Sequence, residues 1–248
     1  MAFCDIHFWG PSIQKQSSMY VLVPDGKGPF PVLYLLHGLS DDHTTWLRRT
    51  SIERYVSGLP LMVVMPDGHR SFYINDPRAG GMAYEDHIVK DVVGFVDRAF
   101  PTIRARRGRA IAGMSMGGFG AMMLAMRHPD MFCIACSHSG ALGRFHEPSK
   151  DRPEVRALAA ALPGDRYDCH ALARKLKAAR KRLAIRIDCG TEDFLIAHNR
   201  AFHALLEKLG IPHIYEEFPG VHDWAYWDAH IRETLKFVME KIEKRCRS

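Results

Sequence analysis

The chain is 248 residues long, 47% hydrophobic and 25% charged, with a formal net charge of +6; this is the balance of a globular protein long enough for one large α/β domain. No apolar run approaches the roughly 20 residues that a membrane helix needs, and the first residues lack the basic segment and apolar core of a secretion signal, so a cytoplasmic protein without membrane association is expected. The positive charge gathers in residues 104–109, 174–182 and 241–247; the first two clusters precede predicted strands, at the amino ends of the sheet and away from where α/β sites form, so a solvated basic underside is expected rather than a nucleic-acid surface.

Residues 3–9 and 18–23 read as two early strands, with Pro24-Asp25-Gly26-Lys27-Gly28 as a turn after the second. An apolar strand from residue 32 ends in His37-Gly38, a helical stretch follows over 46–57, and a strand over 61–65 is closed by Pro66-Asp67-Gly68. Residues 69–82 form a polar loop of a length that is often functional. A helix over 84–100 aligns Ile88, Val92, Phe95, Val96 and Ala99. Ala110-Ile111-Ala112 is a buried-strand pattern, and good helix formers run from 116 until His128-Pro129-Asp130 stops them. A strand over 131–137 leads into Ser137-His138-Ser139-Gly140.

Residues 143–182 are charged, alanine-rich and broken at Pro148, Pro153 and Pro163-Gly164. They are expected to form a small cap-like insertion of two short helices at the carboxyl edge, within a single domain covering 1–248. Strands over 183–189 and 213–218 flank a helix over 195–209, and a closing helix over 226–244 has Ile231, Leu235, Val238 and Ile242 as its inner stripe. Strands and helices alternate without repeats, which predicts the α/β class: a mostly parallel central sheet with helices on both faces. Cys4, Cys133, Cys136 and Cys189 sit in apolar, strand-like surroundings and are expected as buried thiols. On a strand, Cys133 and Cys136 would face opposite sides, and no second Cys or His pair has suitable spacing, so no metal site is expected.

Chemistry concentrates at Gly113-Met114-Ser115-Met116-Gly117-Gly118. A bare G-x-S-x-G is a weak signal, but here it lies between a buried strand and a helix, the setting of a nucleophile elbow. Such a serine needs a histidine base, and the base needs an orienting carboxylate. Gly190-Thr191-Glu192-Asp193-Phe194 follows one strand and Pro219-Gly220-Val221-His222-Asp223-Trp224 follows the last. This order selects Asp193 as the acid and His222 as the base, with Glu192 as the competing acid. Donors for a developing oxyanion are expected from the backbone N–H groups of Met116, next to the serine, and Leu39, after Gly38.

With these segments in place, the chain resembles the esterase D/antigen 85 branch of the α/β-hydrolases, in particular its tributyrin-esterase-like members. The resemblance rests on His37-Gly38-Leu39-Ser40, Trp46-Leu47-Arg48-Arg49-Thr50, Pro66-Asp67-Gly68, Tyr84-Glu85-Asp86, Gly113 to Gly118, Cys189 to Phe194 and Gly220 to Trp227, in family order over nearly the whole chain. It implies the α/β-hydrolase fold, a triad of Ser115, Asp193 and His222, oxyanion donors at Leu39 and Met116, and no cofactor. The expected activity is serine carboxylester hydrolysis of small-molecule esters with acetyl to butyryl acyl groups. Feruloyl or carbohydrate acetyl esterase, acyltransferase and S-formylglutathione hydrolase activities are the alternatives on the same triad. Trp46, Tyr73, Phe194 and Trp224 are expected to line the substrate pocket, and a homo-oligomer is compatible with the sequence.

Overall fold

The computed structural model of the chain describes residues 1–78, 80–143, 157, 160–162 and 164–246. Its strands are β1 (Ala2–Gly10), β2 (Lys15–Val23), β3 (Val32–Leu36), β4 (Met62–Pro66), β5 (Arg109–Met114), β6 (Ile134–His138), β7 (Ala184–Gly190) and β8 (His213–Phe218). They form one sheet in the order β1-β2-β4-β3-β5-β6-β7-β8. β1 and β2 make an antiparallel hairpin and β2 pairs antiparallel with β4; every pairing from β4 to β8 is parallel. The central strands read as unbroken apolar runs because both of their faces are covered: every residue of β3, β4 and β6 is buried.

Alternation along β3 shows how the two layers divide. Val32, Tyr34 and Leu36 enter one core with helix α4 (Met116–Arg127), while Leu33 and Leu35 enter the other with α1 (Thr45–Arg49), α2 (Ile52–Val56) and α7 (Trp224–Cys246). The first layer also holds α3, whose segments Tyr84–Asp86, His87–Val92 and Val93–Ala99 are joined by a π-helical middle, together with α5 (Cys169–Ala178) and α6 (Ile196–Lys208). The helix expected over 46–57 is broken at Thr50. The Thr50 hydroxyl takes the Trp46 carbonyl at 2.5 Å, competing with the helical ladder, and Asp228 captures the Ser51 N–H at 2.7 Å.

Of the insertion expected over 143–182, the structure describes residues 143, 157, 160–162 and 164–182. Residues Cys169–Ala178 form an ordinary crossover helix that returns the chain from β6 to its parallel neighbour β7. Asp168 caps it by accepting the Ala171 N–H at 2.8 Å, and Cys169, Leu172, Ala173 and Leu176 enter the same core as α4. Arg174, Lys175 and Lys177 are the solvated outer face of this amphipathic helix. The rest of the proposed cap, 144–156, 158–159 and 163, lies outside the described residues.

Glu85, in the first turn of α3, ties this layer together. It is 2% exposed and accepts from Arg127 Nε at 2.7 Å, His128 Nε2 at 2.8 Å and the Tyr167 hydroxyl at 2.9 Å. Burial alone would raise its pKa, but these donors outweigh it and hold the carboxyl at about 2, against an ordinary value of 4.5. A depressed carboxylate stabilises the fold above its unfolded pKa and loses that contribution as pH falls through its folded one. The difference corresponds to stabilisation on the order of 3 kcal/mol at neutral pH, lost between about pH 4.5 and pH 2. Urea denaturation should therefore find Glu85→Gln much less stable than the parent at pH 6, with the gap narrowing at pH 3. A gap independent of pH would show that the charge of Glu85 is not what stabilises this junction.

Candidate active site

β5 ends at Met114, and α4 begins at Met116. Between them Ser115 adopts φ 55° and ψ −116°, a conformation that costs a residue with a β-carbon on the order of 1–3 kcal/mol. Three backbone bonds hold it there. The Ser115 N–H donates to the His138 carbonyl at 3.0 Å, and its carbonyl accepts from Phe119 at 3.0 Å and Ala141 at 3.1 Å. The turn also needs absent side chains. A β-carbon on Gly117 would lie 2.6 Å from the His37 carbonyl oxygen and nearer still to that of Leu36; one on Gly113 would strike the backbone of Gly117.

Ser115, His222 and Asp193 meet at the carboxyl ends of β5, β8 and β7. His222 Nε2 lies 2.9 Å from Ser115 Oγ, and its Nδ1 lies 2.8 Å from Asp193 Oδ2. The second carboxylate oxygen of Asp193 accepts the Leu195 N–H at 2.8 Å. Burial would raise the pKa of Asp193, but its bonds to His222 and to the Leu195 N–H prevail and keep the carboxyl below its ordinary range. It is Asp193 that reaches His222; Glu192 is exposed. Two rings brace the imidazole: Phe194 at 4.5 Å, itself 66% exposed, and Trp227 edge-on at 4.9 Å. Trp227 was not singled out in the sequence; its spacing from His222, one turn into α7, was the available signal.

The loop after β3 is fixed through His37, which is buried. Its Nε2 accepts the Gly68 N–H at 2.8 Å, so Nδ1 carries the proton and donates to the Gly38 carbonyl at 2.8 Å. The Asp41 N–H reaches the same carbonyl at 3.2 Å. With one side of the trans Gly38–Leu39 peptide so occupied, the Leu39 N–H points to the opposite side. The Tyr73 hydroxyl donates to the His37 carbonyl at 2.9 Å. Met116 is the first residue of α4, so its N–H has no partner within the helix. Leu39 also lines a cleft of about 350 Å³ with Arg70, Phe72, Met82 and Tyr84.

Two expected pocket residues are placed elsewhere. Trp46 is 1% exposed and belongs to the core, where its indole N–H donates to the Leu36 carbonyl at 3.0 Å. Tyr73 is fully buried beneath the loop it braces. Both rings are large and each has a polar tip that finds a backbone carbonyl, which makes them supports of the β3 end instead of walls open to substrate. Trp224 packs between Trp46 and Trp227, each at 5.2 Å, and does not join Phe194 in one aromatic pocket. Among the described residues no group of three or more His, Cys, Asp or Glu side chains could hold a metal ion.

A second polar chain lies directly behind the elbow. His138 and Asp188 are register partners on β6 and β7, with His138 Nδ1 3.0 Å from Asp188 Oδ1 and Nε2 3.0 Å from the Thr234 hydroxyl. Arg186 reaches Asp188 from two residues away on β7, binds Glu216 at 2.8 Å, and the Tyr226 hydroxyl donates to Asp188 at 3.2 Å. His138, Asp188 and Thr234 are entirely buried and Arg186 is 2% exposed. Burial pushes the Asp188 carboxyl up, but His138 and Arg186 more than offset it and hold it below its ordinary range.

A doubly covered sheet of this order, carrying a strained serine in hydrogen-bonding contact with a histidine and a buried aspartate, defines the α/β-hydrolase class of serine hydrolases. Residues 10–238 match the family model described as "Putative esterase". An acetyl esterase of Caldicellulosiruptor saccharolyticus is 27% identical over 262 residues, covering 96% of this chain and 98% of that protein. Two solved Staphylococcus aureus proteins align over 97% of this chain and 98% of theirs: the fluorophosphonate-binding serine hydrolase F, at TM-score 0.88 and 30% identity, and an S-formylglutathione hydrolase, at 0.84 and 31%. The chain belongs to this esterase family, consistent with the esterase D/antigen 85 branch, and is a serine carboxylesterase.

Proposed function

We propose that Ser115, His222 and Asp193 are the catalytic triad and that the esters cleaved carry short acyl groups. The observation that carries the assignment is the unbroken hydrogen-bonded chain from Ser115 Oγ through His222 to Asp193. His222 takes the serine proton as Oγ attacks the ester carbonyl, while Asp193 orients the ring and stabilises its cationic form. The N–H groups of Leu39 and Met116 receive the developing oxyanion. His222 then protonates the departing alcohol, and a water molecule, deprotonated by the same ring, releases the acid from Ser115.

The cleft beside Leu39 supports the preference for small acyl groups. Each methylene buried against apolar surface contributes roughly 0.8 kcal/mol, but Phe72, Met82 and Tyr84 share this lining with His69, Arg70, Asp76 and Arg78. A long chain laid there gains little. Acetyl to butyryl p-nitrophenyl esters are expected to give the highest kcat/KM across a C2 to C12 series, with a steep fall by octanoyl. An optimum at C8 or longer would overturn this reading. The exposed ring of Phe194, lying against His222, favours one secondary substrate class, planar hydroxycinnamoyl esters, which stack on such a face; methyl ferulate in the same assay measures its share. Cys4, Cys136, Cys169 and Cys189 stand as free thiols, which supports a reducing, cytoplasmic location.

A further inference from the structure

The amino ends of β7 and β8 lie at the other end of the sheet from Ser115. A groove of about 780 Å³ opens there, between the turn after α5, the turn before β8 and one side of α7. Its floor is apolar: Leu183, Ile185, Ile211 and Phe237 are buried beneath it, and Ile214 stands on its wall 40% exposed. Its rim is cationic, built from Lys177, Arg180, Lys181, Arg182 and Lys241, and no carboxylate lines it among the described residues. Lys181 is paired with Asp130 at 2.6 Å and Lys177 donates to the Gly210 carbonyl at 3.3 Å. Arg180 and Arg182 form no ion pair among the described residues, and Lys241 rests over the Phe237 ring at 5.1 Å, without a carboxylate partner.

A solvated basic surface ordinarily intersperses both signs of charge on convex ground. Here the charges are of one sign and surround a concavity with an apolar base, over which the arginine and lysine stems extend. The geometry points to a binding site for a free amphipathic carboxylate: an aliphatic or aryl acid whose apolar body rests on Ile185 and Phe237 and whose carboxylate is held by Arg182 and Lys241. A polyanion would answer the charge but leave the apolar floor unused. β7 has seven residues, so the groove lies about 20 Å from Asp193, and its occupant does not compete with substrate. The inference stands independently of the triad assignment.

Calorimetric titration with decanoate, below its micellar concentration, tests this on the full chain. We expect one saturable binding event that weakens at high salt and about tenfold in Arg182→Gln/Lys241→Gln, the scale of two lost exposed charge contacts. Ile214→Glu, which places a negative charge on the wall without removing a cation, should weaken it similarly. Both variants should hydrolyse p-nitrophenyl acetate at the parental kcat/KM, which also reports that they are folded. Equal decanoate affinity in parent and variants overturns the proposal. So does 1-decanol binding as tightly as decanoate, or heparin binding in the groove where decanoate does not.

Discussion

Ser115→Ala should abolish ester hydrolysis, with kcat lower by about 10⁶ on the precedent of subtilisin, while the unfolding midpoint stays close to the parental value. The hydroxyl contributes its bond to His222 and no packing, and the strained turn is held by backbone bonds that alanine keeps. Asp193→Asn is the more discriminating change. An asparagine amide at that position would donate to His222 Nδ1, forcing the proton onto Nε2, which then cannot accept from Ser115. A loss of about 10⁴ in kcat is expected, as for the equivalent change in a serine protease. Glu192→Gln, on an exposed side chain, should leave kcat within a factor of two or so, a surface change of negligible effect. The opposite ranking of these two acids would overturn the assignment of Asp193.

The largest stability loss is expected away from the reacting atoms, at Asp188→Ala. The carboxylate faces Arg186 and His138 in a region closed to water, so its removal strands a buried positive charge. Breaking a buried pair in this way costs roughly 3–5 kcal/mol, because the desolvation of the remaining ion is no longer offset. Replacing the whole trio by apolar residues is a different experiment. In His138→Phe/Arg186→Leu/Asp188→Leu no fully buried charge is left, since Glu216, the remaining partner of Arg186, is partly exposed, and much of the lost stability should return. Guanidinium denaturation measures both variants. A loss below about 1 kcal/mol for Asp188→Ala would mean that Arg186 reaches solvent beside Glu216 once its partner is gone.

The contrast between these two regions explains what could be read without coordinates. The order of strands and helices was legible because doubly covered strands are unbroken apolar runs and helices carry a repeating stripe. Ser115, Asp193 and His222 could be brought together from the sequence because each follows a strand of a parallel sheet, so the strand direction alone delivers them to one edge. The network of His138, Asp188 and Arg186 was not assembled, although a charged pair inside the pattern Ala184-Ile185-Arg186-Ile187-Asp188-Cys189 was a visible anomaly. Joining it to His138 required the β6–β7 register, which places His138 opposite Asp188 and which no local pattern contains. Trp46 and Tyr73 were misplaced for a related reason. A ring adjacent in sequence to a motif can point into the core as readily as into the cleft, and here the carbonyls of Leu36 and His37 decided the matter. The crossover helix Cys169–Ala178 does not stand out from the stretch around it because its stripe is short and lies among charges and prolines.

Gly117 bears on how the reacting groups keep their spacing. Because a β-carbon there would collide with the carbonyls of Leu36 and His37, the start of α4 and the end of β3 approach with no room for a side chain between them. Side chains can change rotamer to absorb a disturbance; backbone in contact with backbone cannot. The serine and the Leu39 amide, though 76 positions apart in the chain, therefore behave as two jaws of one rigid clamp. A displacement of either jaw carries the other with it, so the opening between them is insensitive to movement in the surrounding loops.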